Sequence, residues 1–479
     1  MDFCYLCETP QKNGLAAKVG EKPIKDMRKI QKISDLEPTI AFSEFDFYKS
    51  YETSFYNSEL GGLYRAIPFT ELAVSLGLKE CPKGRTSYFS ASGKLALMFL
   101  KSYTDFSDSQ LIDNLNSNIH YQLFCGVRIN PLNPLSNFKI VSSIRCEIAS
   151  VLNIDELQEV LSNYWKPYME NLQVHMTDAT CYESYIRYPT DVKLLWEAVS
   201  WLYPQTCAIY KSLGLRKPRT KYDKQSRRYH VYSKKRNCRQ TETCVLKRSL
   251  LHLLNKLIGL TNDVIKTQTG RIELSSRFYK RYSIIQKVYN QQLLRFEGQK
   301  VTDLIVSIDK SYIHPIVRGK ETKSVEFGAK VNMIQTDGIN FIEHLSFSAF
   351  HEGIRLPGCV AKQQKLFKRK VSLLAADSIY ATNANRKFCS KRMITTGFVR
   401  KGRAGKDEEQ LKVMRSVLSK ERSTRLEGSF GTEKQHYGLQ KVKARTKKTE
   451  VLWIFFGIHT ANAVRMIDKM KKVDIKDTA

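Results

Sequence analysis

The chain has 479 residues, 42% of them hydrophobic, and its 78 Lys and Arg against 47 Asp and Glu give a formal net charge of +31. This length and apolar content provide for roughly two to four domains with a substantial core and exclude a disordered chain, while the charge excess points to a polyanionic partner, nucleic acid above all, held through counterion release. Eleven cysteines, an odd number scattered along the chain, exclude a disulfide framework and suit a reducing compartment; the lone Cys4-x-x-Cys7 lacks a second pair and reads as free thiols.

Residues 1–60 form an N-terminal extension, lysine-rich from Lys18 to Lys32. No basic segment followed by an apolar one opens the chain, so no secretory signal is expected and the protein is read as cytoplasmic. From Leu63 to about Leu161 the apolar spacing is helical. Leu95, Leu97, Met98, Phe99 and Leu100 cluster, Ser107 to Ile112 reads as a capped helix start, and the turn-rich 130–136 precedes a helix over about 137–152. Residues 61–165 are therefore expected to be all-helical. Val174 to Thr180 is a short strand candidate. After Pro189-Thr190-Asp191 the period turns helical, with Leu194, Leu195, Ala198, Val199 and Leu202 on one face and Asp191 as the N-cap. A basic stretch from Lys211 to Lys235 and helices from about Cys244 to Phe296 complete an insertion over 191–299.

From Val301 the pattern is strand-like again. Leu304 to Ile308 reads as a buried strand, and Ser324 to Ile334, Asp337-Gly338 and Ile339 to Phe347 as a hairpin, because Asp-Gly between β-prone runs is a strong turn signal. Ala361 to Lys370 is expected to be helical, Val371 to Ala376 and Met393 to Val399 to be strands, and 407–440 and 450–471 to be helices. The apolar run Val451 to Ile458 is too short to span a bilayer and reads as a core helix. The fold class is thus α/β: a mixed sheet built from 166–190 and 300–470, interrupted by the helical insertion and preceded by the all-helical domain.

Three carboxylates have the setting that a two-metal phosphoryl-transfer site needs. Asp178 and Asp377 end short apolar strands, and Glu427 lies on a helix with Lys434 seven residues on, about two turns away and on the same side. Carboxylates so placed can hold two divalent ions, and hard ions such as Mg²⁺ prefer oxygen ligands. Gly428 and Gly431 weaken that helix and suggest close packing there against a partner or backbone. In the insertion, Arg227, Arg228, Lys234 and Lys235 are interleaved with Tyr222, Tyr229, His230 and Tyr232, a mixture that can track a phosphate backbone and stack on bases. Arg318-Gly319-Lys320 reads either as a turn near DNA or as the shaping of a hairpin loop alone. Asp309 reads as a strand-end residue, Asp337 as the hairpin turn and His436 as a surface residue.

Taken together, Asp178-Ala179-Thr180 with Ile186 to Leu195, Pro315 to Lys320 with Val325 to Val331, Ala376 to Tyr380 with Asn383 to Arg386, and Glu427 to Gly431 with Lys434 and Tyr437-Gly438-Leu439 resemble a DDE transposase of a bacterial insertion sequence, over roughly residues 60–468. The resemblance implies an RNase H-like mixed sheet with helices on both faces, and a DNA-binding or assembly role for 61–165. It implies two Mg²⁺ ions, with Mn²⁺ as a substitute, held by Asp178, Asp377 and Glu427, and DNA contacts from Lys434, Arg425, Arg422, Arg318 and Lys320. The partners it implies are double-stranded DNA, as element terminal repeats and target, and further copies of the chain in a homo-oligomer on DNA. In such transposases a tyrosine and an arginine often stand seven and four residues before the glutamate; here those positions are Lys420 and Ser423, and Arg422 and Arg425 fall out of register on a regular helix. A DNA-binding protein that no longer cuts, a repressor or decayed copy, is the alternative.

Overall fold

The computed structural model describes residues 44–78, 87–267, 273–317, 325–399, 401–402 and 408–478. Cys4, Cys7, the Lys18–Lys32 run, Arg318 and Lys320 lie outside the described residues. The chain divides by its contacts into residues 1–50 and 51–479. α1 (Glu44–Tyr56) opens the described chain, and all later elements belong to the second unit.

The first helices of that unit are α2 (Glu59–Arg65), α3 (Phe69–Ser75), α4 (Ala91–Thr104), α5 (Asp108–Ser117), α6 (Ile119–Phe124), α7 (Lys139–Val151) and α8 (Ile154–Trp165). The predicted start at Ser107 is a capping box: its hydroxyl accepts from the Gln110 amide at 3.2 Å, and the Gln110 side chain accepts from the Ser107 amide at 3.0 Å. Apolar stripes from these helices, including Phe69, Phe99, Phe124 and Trp165, enter a hydrophobic core shared with the sheet.

β1 (Val174–Ser184) is longer than expected, because the β-prone residues after Asp178 continue to pair. Asp178 is consequently a mid-strand residue and not a strand end. Then come α9 (Asp191–Ser212), α10 (Tyr222–Ser233), α11 (Gln240–Thr267) and α12 (Ser276–Phe296). They surround a core of their own, built on Leu195, Leu202, Leu250, Leu254, Leu257, Ile285 and Val288. The N-cap of α9 is Thr190, whose hydroxyl accepts from the Lys193 amide, and not Asp191. Asp191 is the first helical residue, where its charge suits the helix dipole and pairs with Lys247 at 2.6 Å and Arg295 at 3.1 Å.

Leu304 to Ile308, expected as a strand, is irregular. Its apolar residues serve two cores instead of one sheet face: Ile305 and Ile308 enter the insertion core, and Val306 the main one. The remaining elements are β2 (Pro315–Val317), β3 (Val325–Thr336), β4 (Ile339–Ser346), α13 (Leu356–Phe367), β5 (Leu373–Ala376), α14 (Asn383–Lys391), β6 (Thr395–Thr396), α15 (Glu408–Glu421), α16 (Gly428–His436), β7 (Lys441–Val442) and α17 (Lys447–Thr478). The strand expected over Met393–Val399 is only the two residues of β6.

Among the described residues, the seven strands form one mixed sheet. β3 is antiparallel to β1, and β2 and β4 are antiparallel to β3. β5 and β7 run parallel to β1, and β6 runs parallel to β5. The predicted hairpin is present, and Asp337 (φ 50°) and Gly338 (φ 80°) make its turn with two positive φ angles, as a two-residue hairpin of twisted strands requires. Gly328 is needed where β3 crosses β1, since a Cβ there would lie 2.1 Å from the Tyr182 carbonyl oxygen. The outer edge of β4 is closed by two buried amide side chains. Gln158 of α8 donates to the Ile342 carbonyl at 3.0 Å and accepts from its amide at 2.6 Å; Asn462 of α17 does the same for Asn340, at 2.6 and 3.0 Å. These bonds satisfy backbone groups that an edge strand otherwise leaves open. Among the described residues, no helix is long and apolar enough to cross a membrane.

Candidate active site

β1 and β5 lie side by side and parallel, with Thr177 opposite Ala376. Asp178 and Asp377 are the next residues on the two chains, so the sheet itself sets the first two acids next to each other. Asp377 caps a one-turn 3-10 segment (Ser378–Tyr380), its carboxylate accepting from the Ser378 amide at 2.6 Å. Asp178 accepts from the Ala179 amide at 2.8 Å through Oδ1, and from Arg422 Nη1 at 2.8 Å through Oδ2. The same Arg422 nitrogen stands 2.9 Å from Glu427 Oε1. One guanidinium therefore joins the acid of the central strand to the acid of the helix.

This contact depends on backbone irregularity. Residues Arg422–Glu427 form a π-helical turn between α15 and α16. A π turn takes in one extra residue, so groups five apart share a face, and Arg422 is five residues before Glu427. The arginine that is out of register on a regular helix is thus in register here. Burial raises the Asp178 carboxyl to about 6, outweighing the Ala179 amide and Arg422, which lower it; Glu352 and Asp377 push in the same direction as burial. Glu352, in a 3-10 turn after β4 and paired with Lys330 at 2.6 Å, is a fourth acid in this field. No pattern in the sequence around it marks it.

The helix bearing Glu427 is fixed to the sheet by a buried polar network. Lys434 Nζ donates to Thr180 Oγ1 at 2.9 Å and lies 5.8 Å above the Tyr182 ring, so Glu427 and Lys434 both face β1. The Tyr182 hydroxyl donates to the buried Glu433 carboxylate. Asn340 Nδ2 donates to the other oxygen of Glu433 at 2.5 Å and lies 2.8 Å from Ser429 Oγ. Burial raises the Glu433 carboxyl to about 7, against the lowering effect of its Tyr182 and Asn340 bonds. Glu433 escaped the sequence reading, although one signal was present: Leu426, Ser429, Phe430 and Glu433 follow the spacing of a buried stripe, and a carboxylate in that stripe needs partners.

The other candidate DNA contacts are dispersed. Arg425 is exposed and pairs with Glu421 at 2.6 Å. Arg227 and Arg228 lie on α10, their partners being the Asp223 carbonyl and the Ser249 hydroxyl. Lys234, exposed, caps α10, and Lys235 pairs with Glu242 at 2.6 Å. The interleaved rings are committed to packing: Tyr222 stacks on Tyr203 with centroids 3.9 Å apart, Tyr229 on Trp196 at 4.9 Å, and the Tyr232 hydroxyl meets Thr243. Base stacking by Tyr222 and Tyr229 is therefore not available in this arrangement, because α9 already covers them. At Gly428 and Gly431 no atom from beyond the local helix backbone lies within 4 Å of where a Cβ would be. The two glycines therefore do not serve close packing within the chain, and the helix surface beside Glu427 is open to a partner. Asp309 pairs with Arg281 at 2.6 Å, and His436 is exposed.

Among the described residues, no group of three or more His, Cys, Asp or Glu stands together as a metal-binding set. The donor chemistry nevertheless suits a hard cation, being all carboxylate oxygen, and Arg422 shows that Asp178 and Glu427 can share one positive charge. Residues 374–459 match the family model described as a transposase DDE domain; this stretch contains Asp377, Arg422, Glu427 and Lys434 and begins well after Asp178. No curated protein and no solved structure matches the chain.

Proposed function

We propose that this chain is a working DDE transposase: it binds the terminal repeats of its mobile element, cleaves phosphodiesters there and joins the freed ends to target DNA. The observation that supports the reading is the arrangement of Asp178 on β1, Asp377 immediately after the adjacent parallel β5, and Glu427 linked to Asp178 through Arg422. The strand arrangement around β1, with the antiparallel β3 on one side and the parallel β5 and β7 as its other partners, supports an RNase H-like sheet. Asp178, Asp377 and Glu427 are the residues that would hold two Mg²⁺ ions. Such ions, when bound, neutralise charge on the scissile phosphate and on the attacking and leaving oxygens.

The chain's own contribution is positioning. The sheet fixes the two aspartates, and the buried Glu433 network fixes the helix that brings Glu427 and Lys434. Lys434 offers an ammonium to a substrate phosphate next to the acids, and Arg422 offers a second cation once it leaves the carboxylates. In the first step water attacks the phosphorus and the 3′ oxygen leaves. In the second that 3′-hydroxyl attacks a target phosphodiester and another 3′ oxygen leaves. Holding two element ends calls for more than one copy of the chain, so a homo-oligomer forms on DNA.

Asp178→Ala and Asp377→Ala test the assignment. Each should abolish Mg²⁺-dependent cleavage of terminal-repeat DNA while mobility-shift assays show binding retained. Undiminished cleavage by either variant would overturn it.

A further inference from the structure

We infer that the cleft where β1 leaves the sheet is a second DNA-binding site, taking the phosphate backbone of the duplex whose scissile bond lies at the acids. This rests on the transposase reading and extends it to residues that the acid site does not use. The cleft, of about 880 Å³, lies between the β1–α9 connection, the irregular segment around Ser307 and the start of α17, and it is lined by five cations (Arg187, Lys193, Arg281, Lys310, Arg445) and two acids (Glu197, Asp309). Two of the cations are matched: Arg281 pairs with Asp309 at 2.6 Å, and Lys310 with the buried Glu450. Arg187, Lys193 and Arg445 remain against Glu197 alone. They come from a loop, a helix and the chain after β7, so they line an open cleft instead of gathering round a point. A run of phosphates suits that spacing better than a single small anion.

A second pattern leads into the same cleft. From β7 onward Lys441, Lys443 and Arg445 are exposed, and Val442 and Ala444 between them are buried, at 1% and 4% exposure. Alternation on an extended chain puts the three cations on one side, roughly 7 Å apart. Lys441 is paired with Glu183 of β1, five residues along the strand from Asp178. At about 3.3 Å per residue this is roughly 17 Å, or about five base-pair steps of B-DNA. Five is an odd step, so this row stands on the side of the sheet away from the Asp178 side chain, and a duplex with its scissile phosphate at Asp178 meets these cations only where it runs past the end of β1 toward the cleft. The side chains of Tyr185 (63% exposed) and Tyr188 (71% exposed) stand at the cleft or beside it and can lie against sugars.

The test is the salt dependence of binding to a fluorescein-labelled duplex, read by anisotropy, with the full-length chain. R187A/K193A/R445A should bind more weakly, and the slope of log K against log salt should become shallower by about 2–3, at roughly 0.9 per lost phosphate contact. R187K/R445K keeps the charge and should keep the slope. R445E alone should weaken binding at low salt and serves if the triple variant does not fold. An unchanged slope in both R187A/K193A/R445A and R445E overturns the inference, and leaves the transposase reading intact provided that the wild type still cleaves DNA. Equal loss of RNA binding and DNA binding, with no preference for duplex DNA in the wild type, overturns the assignment of the partner. A wild type that neither binds nor cleaves duplex DNA is the distinct result that sinks the underlying reading.

Discussion

A single guanidinium nitrogen holds Asp178 at 2.8 Å and Glu427 at 2.9 Å. Asp178 needs that charge, since burial raises its carboxyl to about 6, whereas Glu427 is exposed and reaches the same guanidinium from the solvent side. The same contact places Arg422 where a divalent ion would have to bind, so the arginine and the ion compete for the same oxygens. Removing the side chain should therefore separate two effects. In DNA-free protein, Arg422→Ala should bind Mn²⁺ roughly tenfold more tightly by calorimetry, the equivalent of losing a charge-assisted contact of about 1.5 kcal/mol. In the cleavage assay the same variant should be slower, because a phosphate-holding cation is gone. Weaker Mn²⁺ binding by Arg422→Ala would show that the arginine organises the acids for the ion and does not compete with it.

At the scale of elements, the π turn decides which arginine reaches the acids. On an α-helix the position four before Glu427 shares its face, and here that is Ser423, which is exposed and bonds back to the Lys420 carbonyl at 3.0 Å. The π turn moves the favoured spacing to five and selects Arg422. Exchanging the two residues, as R422S/S423R, keeps composition and charge but puts the guanidinium on the exposed side. The exchange should leave the melting temperature near that of the wild type and behave like Arg422→Ala in Mn²⁺ titration and cleavage; full wild-type cleavage would show that the π register does not matter. This turn also marks what a sequence can convey. The hairpin at Asp337-Gly338 and the capping box at Ser107 were legible because local chemistry specifies them. The strand and the helix that carry Asp178 and Glu427 are legible from their apolar patterns, although Asp178 stands in mid-strand and not at the strand end that the pattern predicts. The Arg422 contact was not legible, since spacing arguments assume 3.6 residues per turn and nothing in Arg-Ser-Thr-Arg-Leu-Glu announces an extra residue. Leu304 to Ile308 is irregular for a different reason: its apolar residues are divided between two cores, and a short apolar run alone does not distinguish that from a strand.

At the scale of the whole molecule, the insertion must leave the sheet and return without disturbing the strand that carries Asp178. The return passes through Lys310, whose ammonium is buried against Glu450 at the start of α17; Glu450 also accepts from Ser184, the last residue of β1, at 2.8 Å. Three distant parts of the chain thus meet at one buried carboxylate. Burial raises the Glu450 carboxyl, and the Lys310 contact opposes that rise. Taking away the lysine leaves a buried charge without its partner, which typically costs about 3–5 kcal/mol. Lys310→Met should therefore melt well below the wild type near neutral pH. Without Lys310 the folded-state value for Glu450 rises further above that of the unfolded chain, so folding is favoured where Glu450 is protonated and loses stability as pH rises through the raised value. The melting deficit of Lys310→Met should accordingly shrink as pH is lowered. The double variant K310M/E450Q, with no charge left to strand, should recover most of the loss at neutral pH. Paired melting curves across pH decide the matter: a deficit that stays constant on acidification, or a double variant as unstable as the single one, would mean that the pair contributes through packing and not through charge.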